Sequence, residues 1–199
     1  ILLLGFVITI PLMAASSGAE LMHANTNLSD RSSLQRGART FVNYCLSCHS
    51  AAYMRFNRMG ADLGISDDVL KENLMFGTDK VGDTMTIAMT NNDAESYFGG
   101  AVPPDLSVTA RSRGVDWLYT YFMTFYRDQS RPFGVNNIAF KDVGMPHVLW
   151  ELQGWMKPVY EEKEHADGSV FKEIVGLEQD TKGTLIPEEY ASTVRDLVN

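Results

Sequence analysis

The sequence has few cysteines, few basic residues and no long apolar run in its interior. Its 199 residues include only 2 Cys, which excludes a disulfide-stapled scaffold. Lys and Arg total 17 against 25 Asp and Glu, for a formal charge of −8, and this argues against a nucleic-acid-binding protein, which normally presents a basic surface. Because 45% of the residues are hydrophobic, the chain has enough apolar side chain to offset the entropy of folding.

The apolar N-terminal stretch, residues 1–15, carries no charge and is shorter than the roughly 20 residues of a typical membrane span. Pro11 interrupts it, and Ser17 and Ala19 occupy the small-residue positions that precede a signal-peptidase cut before Glu20. We therefore expect residues 1–19 to be the core and cleavage region of an export signal, and residues 20–199 to be the folded domain. An N-terminal membrane anchor or a buried helix is the alternative.

The two cysteines lie in the sequence Cys45-Leu46-Ser47-Cys48-His49, which matches the C-x-x-C-H attachment signature of c-type haem. Two thiols one helical turn apart can each form a thioether to one vinyl group of the same porphyrin. The following residue then brings an imidazole to the iron. The motif predicts covalent haem attachment, with His49 as an axial ligand.

Other chemistries of a cysteine pair fit this sequence less well. A zinc site needs four ligands, and the other histidines are scattered along the chain (His23, His147, His165). A thioredoxin-like pair normally follows a βαβ pattern, which the sequence lacks. A disulfide between Cys45 and Cys48 leaves His49 without a role.

The second axial ligand must come from the 10 Met or the remaining His. Met145 stands in Gly144-Met145-Pro146, and the proline disfavours helical geometry at Met145, which predicts a loop able to lie over a haem face. His147 is the rival ligand. A His/Met pair raises the reduction potential relative to other axial pairs, whereas two His give a lower one.

Hydrophobic periodicity predicts four helices, and turn residues predict three loops and one hairpin. Gly37 is best explained by close packing of the first helix against another, and the last helix is expected to pack near the first. The predicted helices are Ser33–Tyr44 with Ser32 or Ser33 as N-cap, Asp67–Leu74, Asp116–Phe125 capped by Asp116, and Pro187–Val198; the predicted loops are Gly77–Asp83, Asn91–Gly100 and Gln129–Asn137. The aromatic stripe Trp117, Tyr121 and Phe125 is expected to be core rather than a cofactor contact.

Asp167-Gly168 between two partly alternating runs predicts a two-stranded insertion within 157–175. One of its strands is acidic, with Glu161, Glu162 and Glu164. These carboxylates are either a solvated face or part of a docking surface for a basic electron acceptor.

Three stretches of the sequence resemble the cytochrome c1 family, the haem subunits of the ubiquinol–cytochrome c reductase (cytochrome bc1) complex. They read ARTFVNYCLSCHSAAYMR, GAVPPDLSVTARSRGVDWLY and VNNIAFKDVGMP. The resemblance implies a mainly α fold, a class I-like cytochrome c domain with long loops and a small β-hairpin insertion.

The same resemblance assigns roles to individual residues. Cys45, Cys48 and His49 hold one covalent haem c, and Met145 is the second axial ligand. Arg111 contacts a haem propionate, with Arg113 close enough to be confused with it, and Pro104 together with Pro103 shapes the wall of the haem crevice. Trp117 is a departure, because many relatives have Tyr there.

The function implied is one-electron transfer from the Rieske iron–sulfur protein to a cytochrome c acceptor, with cytochrome b as a further partner. The resemblance places the haem domain on the periplasmic side of a bacterial inner membrane, anchored by a C-terminal helix expected after Asn199. A free-standing soluble carrier is one alternative. A haem peroxidase is another, if the sixth iron position is open.

Overall fold

The computed structural model describes residues 20–199, so the predicted export signal, residues 1–19, lies outside the described residues. The helices are α1 (Arg31–Tyr44), α2 (Phe56–Leu63), α3 (Asp67–Asn73), α4 (Asn91–Tyr97), α5 (Thr109–Arg113), α6 (Val115–Met123), α7 (Trp150–Gln153) and α8 (Pro187–Val198). The strands are β1 (Ala51–Arg55), β2 (Thr84–Met85), β3 (Phe125–Arg127), β4 (Val135–Asn137), β5 (Gly154–Glu164) and β6 (Val170–Lys182).

The first and last helices, α1 and α8, cross in close contact at Gly37. A Cβ atom on Gly37 would overlap the main-chain carbonyl of Asp196, so only glycine permits this approach. The predicted reason for Gly37 and the predicted pairing of the terminal helices are both confirmed. The N-cap of α1 was predicted wrongly: it is Asp30, whose carboxylate accepts from the backbone N–H of Ser33.

A buried carboxylate joins the two helices at this crossing. Asp196 is 5% exposed and accepts hydrogen bonds from Ser33 Oγ at 2.6 Å and from Arg36 Nε at 2.6 Å. Burial alone would raise the pKa of Asp196, but the hydrogen bonds from Arg36 and Ser33 outweigh it and hold that pKa below its usual range. The ion pair between Arg36 and Asp196 therefore stabilises the contact of α1 with α8 while Asp196 is ionised.

The segment predicted as the loop Asn91–Gly100 contains a helix, α4, so that prediction was wrong. Thr90 caps α4: its hydroxyl accepts from the backbone N–H of Asp93, and the Asp93 carboxylate accepts in return from the backbone of Thr90. This reciprocal capping satisfies two otherwise unpaired backbone donors and offsets the polar composition of the segment. The predicted helix at Asp67–Leu74 is confirmed as α3, with Ser66 as its N-cap.

Helix α6 is shifted by about one residue from its predicted start and ends two residues earlier than predicted. Gly114, not Asp116, is its N-cap. The Asp116 carboxylate instead accepts from the backbone N–H of Ala24 at 2.9 Å and lies 2.9 Å from Nδ1 of His23. Asp116 therefore fastens the N-terminal segment to α6. Phe125 belongs to β3, because the chain turns extended after Met123.

The strands form three two-stranded antiparallel sheets: β1 with β2, β3 with β4, and β5 with β6. The β3–β4 pairing shows that part of the predicted loop Gln129–Asn137 is a strand. The predicted hairpin is confirmed, and it is longer than expected, because β5 and β6 pair from Gly154↔Lys182 to Glu164↔Val170. Gly168 at its tip has φ +83°, which glycine adopts without steric cost.

Helices make up 37% of the described chain, and the rest includes these small sheets. The expectation of a mainly α fold is therefore right only in part, since the long hairpin makes the architecture mixed. Two buried clusters flank α1, one around Leu70 and Phe56 and the other around Tyr190 and Val194. A third cluster, around Phe125, lies beneath the loop that carries Met145. In residues 20–199, no helix is both long and apolar enough to cross a bilayer.

Candidate haem-attachment site

The cysteine motif continues directly from the C-terminal end of α1. Cys45 is the C-cap residue, and its backbone N–H donates to the carbonyl of Phe41 at 2.8 Å. The backbone N–H groups of Cys48 and His49 both donate to the carbonyl of Cys45, at 3.1 and 2.9 Å. This turn sets the two thiols and the imidazole in one local unit.

Both cysteines are free thiols rather than a disulfide. Cys45 is 6% exposed, and burial, with a smaller contribution from Cys48, raises the pKa of its thiol to about 12. Cys45 is therefore a protonated thiol at neutral pH. Cys48 is more accessible.

The His49 side chain is oriented by the segment 103–107. Its Nδ1 donates to the carbonyl oxygen of Pro104 at 2.7 Å. A carbonyl only accepts, so Nδ1 carries the proton and Nε2 carries the lone pair. A backbone carbonyl holding one ring nitrogen is the usual way in which a protein orients a metal-binding imidazole.

The Pro104 segment is itself fixed to the residues that follow the motif. The Asp105 carboxylate accepts from the backbone N–H groups of Ala52 and Ser107, and the backbone N–H of Leu106 donates to the carbonyl of Ser50 at 2.8 Å. Hydrogen bonding to Ser107 lowers the pKa of Asp105, so the carboxylate stays ionised at neutral pH. These bonds hold the carbonyl of Pro104 opposite the ring of His49.

Met145 lies in a loop, as the proline after it predicted. Its side chain packs against the cluster of Tyr121, Phe125 and Val143, and the Tyr121 hydroxyl donates to Sδ of Met145 at 3.3 Å. Burial raises the pKa of Tyr121, so the phenol keeps its proton. The neighbouring Gly144 faces Ala101, since an added Cβ would lie 3.9 Å from the Cβ of Ala101.

Both candidate axial ligands lie near the same stretch of chain. In residues 101–104, the carbonyl of Pro104 accepts from His49, and Ala101 lies close to Gly144, the residue before Met145. An imidazole nitrogen with a free lone pair, a thioether sulfur and two thiols form a donor set that suits a c-type haem. The residues present thus fit the cofactor that the motif predicts.

The two arginines of α5 differ in their surroundings. The Arg113 guanidinium lies over the rings of Trp117, at 4.9 Å, and Phe140, at 5.8 Å. Arg111 is exposed, and among residues 20–199 it forms no side-chain hydrogen bond or salt bridge. The structure thus leaves Arg111, and not Arg113, with its charge unengaged by protein.

The remaining histidines are held elsewhere. His23 contacts Asp116, and the ring of His165 stacks on Phe171 in the hairpin. The ring of His147 is buried and stacks on Phe125 with centroids 4.8 Å apart, and burial lowers its pKa to about 4. Within the described part of the chain, no group of three or more His, Cys, Asp or Glu side chains converges in a way that could hold a metal ion.

A solvent-open groove of about 740 Å³ lies on the other side of the motif. It is lined by residues that include Leu46, Ser47, Arg55 and Phe76, but neither His49 nor Met145 lines it. The groove is therefore not formed by either candidate axial ligand.

Sequence reasoning missed two features of this site. It treated Tyr121 as core only, whereas its hydroxyl also reaches Met145. It assigned Pro104 to the crevice wall, whereas the carbonyl of Pro104 accepts from His49. The helical spacing of Tyr121 correctly indicated burial, but periodicity carries no information about where a hydroxyl points.

Comparison with known proteins identifies relatives over most of the chain. It is 49% identical over 188 residues to the cytochrome c1 of Allochromatium vinosum, an alignment that covers 94% of this chain and 76% of that protein. It is 48% identical over 195 residues to a Nitrosomonas europaea protein named ammonia monooxygenase gamma subunit, covering 97% of this chain and 77% of that protein. It is 32% identical over 117 residues to the cytochrome c1 of Rhodospirillum rubrum, which covers 50% of this chain and 43% of that protein.

The Cytochrome C1 family sequence model matches residues 22–153, a range that includes the cysteine motif, the Pro104 segment and the Met145 loop. Members of this family carry electrons through a c-type haem in bc1-type complexes. The match extends over more than half of the chain, and it agrees with the attachment geometry of Cys45, Cys48 and His49. The chain belongs to the cytochrome c1 family.

Proposed function

We propose that this protein transfers single electrons from the Rieske iron–sulfur protein to a cytochrome c acceptor within the ubiquinol–cytochrome c reductase complex. The observation that carries the proposal is the hydrogen bond from His49 Nδ1 to the carbonyl of Pro104, because it leaves Nε2 of an attachment-motif histidine free to bind iron. When bound, one covalent haem c supplies an iron that cycles between the ferric and ferrous states.

The protein's own residues hold and orient that group. Cys45 and Cys48 provide the two thioether sulfurs, and His49 provides one axial nitrogen. Met145 would hold the iron through its thioether sulfur, from a loop whose Gly144 lies close to Ala101, in the same stretch as the Pro104 that binds His49. If His49 and Met145 both bound the iron, no position would be left open for oxygen or peroxide, which would favour an electron carrier over a peroxidase.

Arg111 is the residue we assign to a haem propionate. A propionate taken out of water needs a paired cation, and the guanidinium of Arg111 is available, whereas that of Arg113 lies over Trp117 and Phe140. The assignment follows the family resemblance, in which Arg111 is the first arginine of the stretch ARSRG, residues 110–114.

The axial assignment is tested with two variants. Met145→Ala is expected to abolish the Met–iron charge-transfer band of the ferric protein, because the thioether is removed. His147→Phe is expected to retain the band, since a phenyl ring keeps the stack on Phe125. Retention of the band in Met145→Ala would move the assignment to another methionine, and a low-spin ferric wild type without the band would move it to His147. A high-spin ferric wild type would favour a peroxidase.

The partners we propose are cytochrome b and the Rieske protein, with the haem domain on the periplasmic side of a bacterial inner membrane. Membrane attachment is assigned to the C-terminal helix expected from the family. Co-purification of a b-type cytochrome with the tagged native protein supports this assembly. Recovery of the chain alone from native membranes and periplasm favours a free-standing carrier.

A second candidate follows from the 48% identity to the protein named ammonia monooxygenase gamma subunit. By that similarity, the chain is instead an electron-transfer subunit associated with an ammonia-oxidising enzyme. The same co-purification separates the two, because a Rieske protein and a b-type cytochrome accompany the chain in one case and ammonia monooxygenase subunits in the other.

A further inference from the structure

We propose that Tyr121 is a positioning residue for Met145 that raises the reduction potential of the centre, and that Trp117 and Arg113 hold the Tyr121 ring in place. This inference rests on the proposed function, since it takes Met145 as an axial ligand. It concerns three side chains that the attachment motif and the axial pair do not include.

The contact between the phenol and the thioether is direct. The Tyr121 hydroxyl donates to Sδ of Met145 at 3.3 Å, within the range of a hydrogen bond to sulfur. Methionine has three rotatable side-chain bonds, so an unanchored thioether in a loop samples many orientations. A donor fixed on one lone pair of the sulfur restricts this motion and leaves the other lone pair for the iron.

The Tyr121 ring cannot move readily, because aromatic rings enclose it. Trp117, one turn earlier on α6, stacks on it with centroids 5.2 Å apart and planes 15° apart. Phe125, the first residue of β3, meets it edge-on at 4.9 Å. The Arg113 guanidinium covers Trp117 at 4.9 Å, so the stack runs from a surface cation through Trp117 to Tyr121.

The hydrogen bond also changes the sulfur as an electron donor. It draws electron density from the lone pairs of Sδ and makes the thioether a weaker ligand. Ferric iron carries the higher charge and loses more from weaker donation than ferrous iron does, so the reduced state is favoured. Hydrogen bonding to an axial ligand is one of the recognised ways in which a protein sets the potential of a haem.

The stack also gives a role to Trp117, a residue that has no hydroxyl of its own. Here a phenol is supplied from one helical turn later, and Trp117 supports it by stacking.

The test uses the haem-loaded protein and measures its midpoint potential by spectroelectrochemical titration. In Tyr121→Phe, the equilibrium constant for reduction is expected to fall about threefold, a decrease of about 28 mV given 59 mV per tenfold for one electron. The matched control is Tyr119→Phe, which removes a buried phenol from the same helix but from a different cluster. It is expected to leave the potential unchanged.

A second variant keeps the test decisive if Tyr121→Phe does not incorporate haem. Trp117→Leu removes the stacking partner and is expected to lower the potential in the same direction. The double variant is expected to match Tyr121→Phe alone, because both changes act through one hydrogen bond.

An unchanged potential in Tyr121→Phe, or in Trp117→Leu if that is the variant recovered, overturns the inference. Additive decreases in the double variant also overturn it, because two independent effects would then be acting. Failure of the underlying function is a different result: the wild type itself would then lack the Met–iron charge-transfer band.

Discussion

At the scale of single residues, two side-chain hydrogen bonds orient the candidate ligands His49 and Met145. The bond from His49 Nδ1 to Pro104 fixes the tautomer and plane of the imidazole, and the bond from Tyr121 to Met145 fixes the thioether. Each partner comes from a segment far along the chain. The geometry of the two candidate ligands is therefore a property of the folded chain and is not present in the motif by itself.

Asp196 is the residue whose charge is predicted to matter most for stability. Asp196→Asn removes the ionised acceptor of Ser33 and Arg36, and it is expected to lower the free energy of unfolding at pH 7 by about 2 kcal/mol. The loss is smaller than for a fully buried ion pair, because Arg36 is half-exposed and stays partly hydrated. The folded-state pKa of Asp196 is lowered, so its contribution is present above its unfolded-state pKa, about 4, and is lost as the pH falls through the folded-state value.

The measurement is urea unfolding of wild type and variant between pH 3 and pH 7, with the stability difference expected to shrink below about pH 4. Asp62→Asn is the control, because Asp62 forms an exposed i,i+4 pair with Arg58. A difference that stays constant across this pH range, or an equal effect in the control, contradicts the role given to Asp196.

At the scale of elements, the β5–β6 hairpin contains the two longest strands, and it packs against β3 and α7. Its distal strands are exposed, and Glu161 lies directly opposite Glu173. Lys163 contacts Glu173, whereas Glu161 and Glu164 form no salt bridge among residues 20–199. Like charges facing each other reduce strand stability, so the hairpin keeps an acidic surface at some cost.

That surface is predicted to speed the encounter with a basic acceptor. Reversing two charges, with Glu161→Lys and Glu164→Lys, is expected to lower the bimolecular rate constant for electron transfer several-fold at low ionic strength. The measurement is stopped-flow oxidation of the reduced complex by a basic cytochrome c, with the difference disappearing at high salt.

The control carries the same charge change on α3, with Asp68→Lys and Glu72→Lys. If the α3 variant slows transfer as much as the hairpin variant, the effect is one of net charge, and the hairpin is a solvated face.

At the scale of the whole molecule, the sequence predicted the parts whose signals are local. The cysteine motif, the hydrophobic periodicity of α1 and α8, and the hairpin at Asp167-Gly168 all have short-range signatures. Helix α4 was missed because its polar composition outweighed the Thr90–Asp93 capping pattern. The strand β4 was missed because its residues read as polar loop, and its pairing with β3 is a tertiary property.

At the candidate site, too, local sequence signals predicted some features, and tertiary contacts determine the others. Cysteine spacing predicts attachment chemistry, and a proline predicts that Met145 lies in a loop, as it does. No sequence rule, however, predicts that Pro104 accepts from His49 or that Tyr121 reaches Met145. These contacts depend on the packing of 101–104 and α6 around the two candidate ligands, and packing is fixed only by the complete fold.

The central claim is that Cys45 and Cys48 bind one porphyrin covalently, and intact-mass spectrometry after acid–acetone extraction tests it most directly. The protein is produced alongside a working c-type maturation apparatus, with a Cys45→Ala, Cys48→Ala variant as the control. We predict that the wild-type polypeptide keeps the mass of one haem after extraction, while the variant does not. A wild-type chain at the mass of the bare polypeptide, with the pigment in the organic phase, would contradict the account.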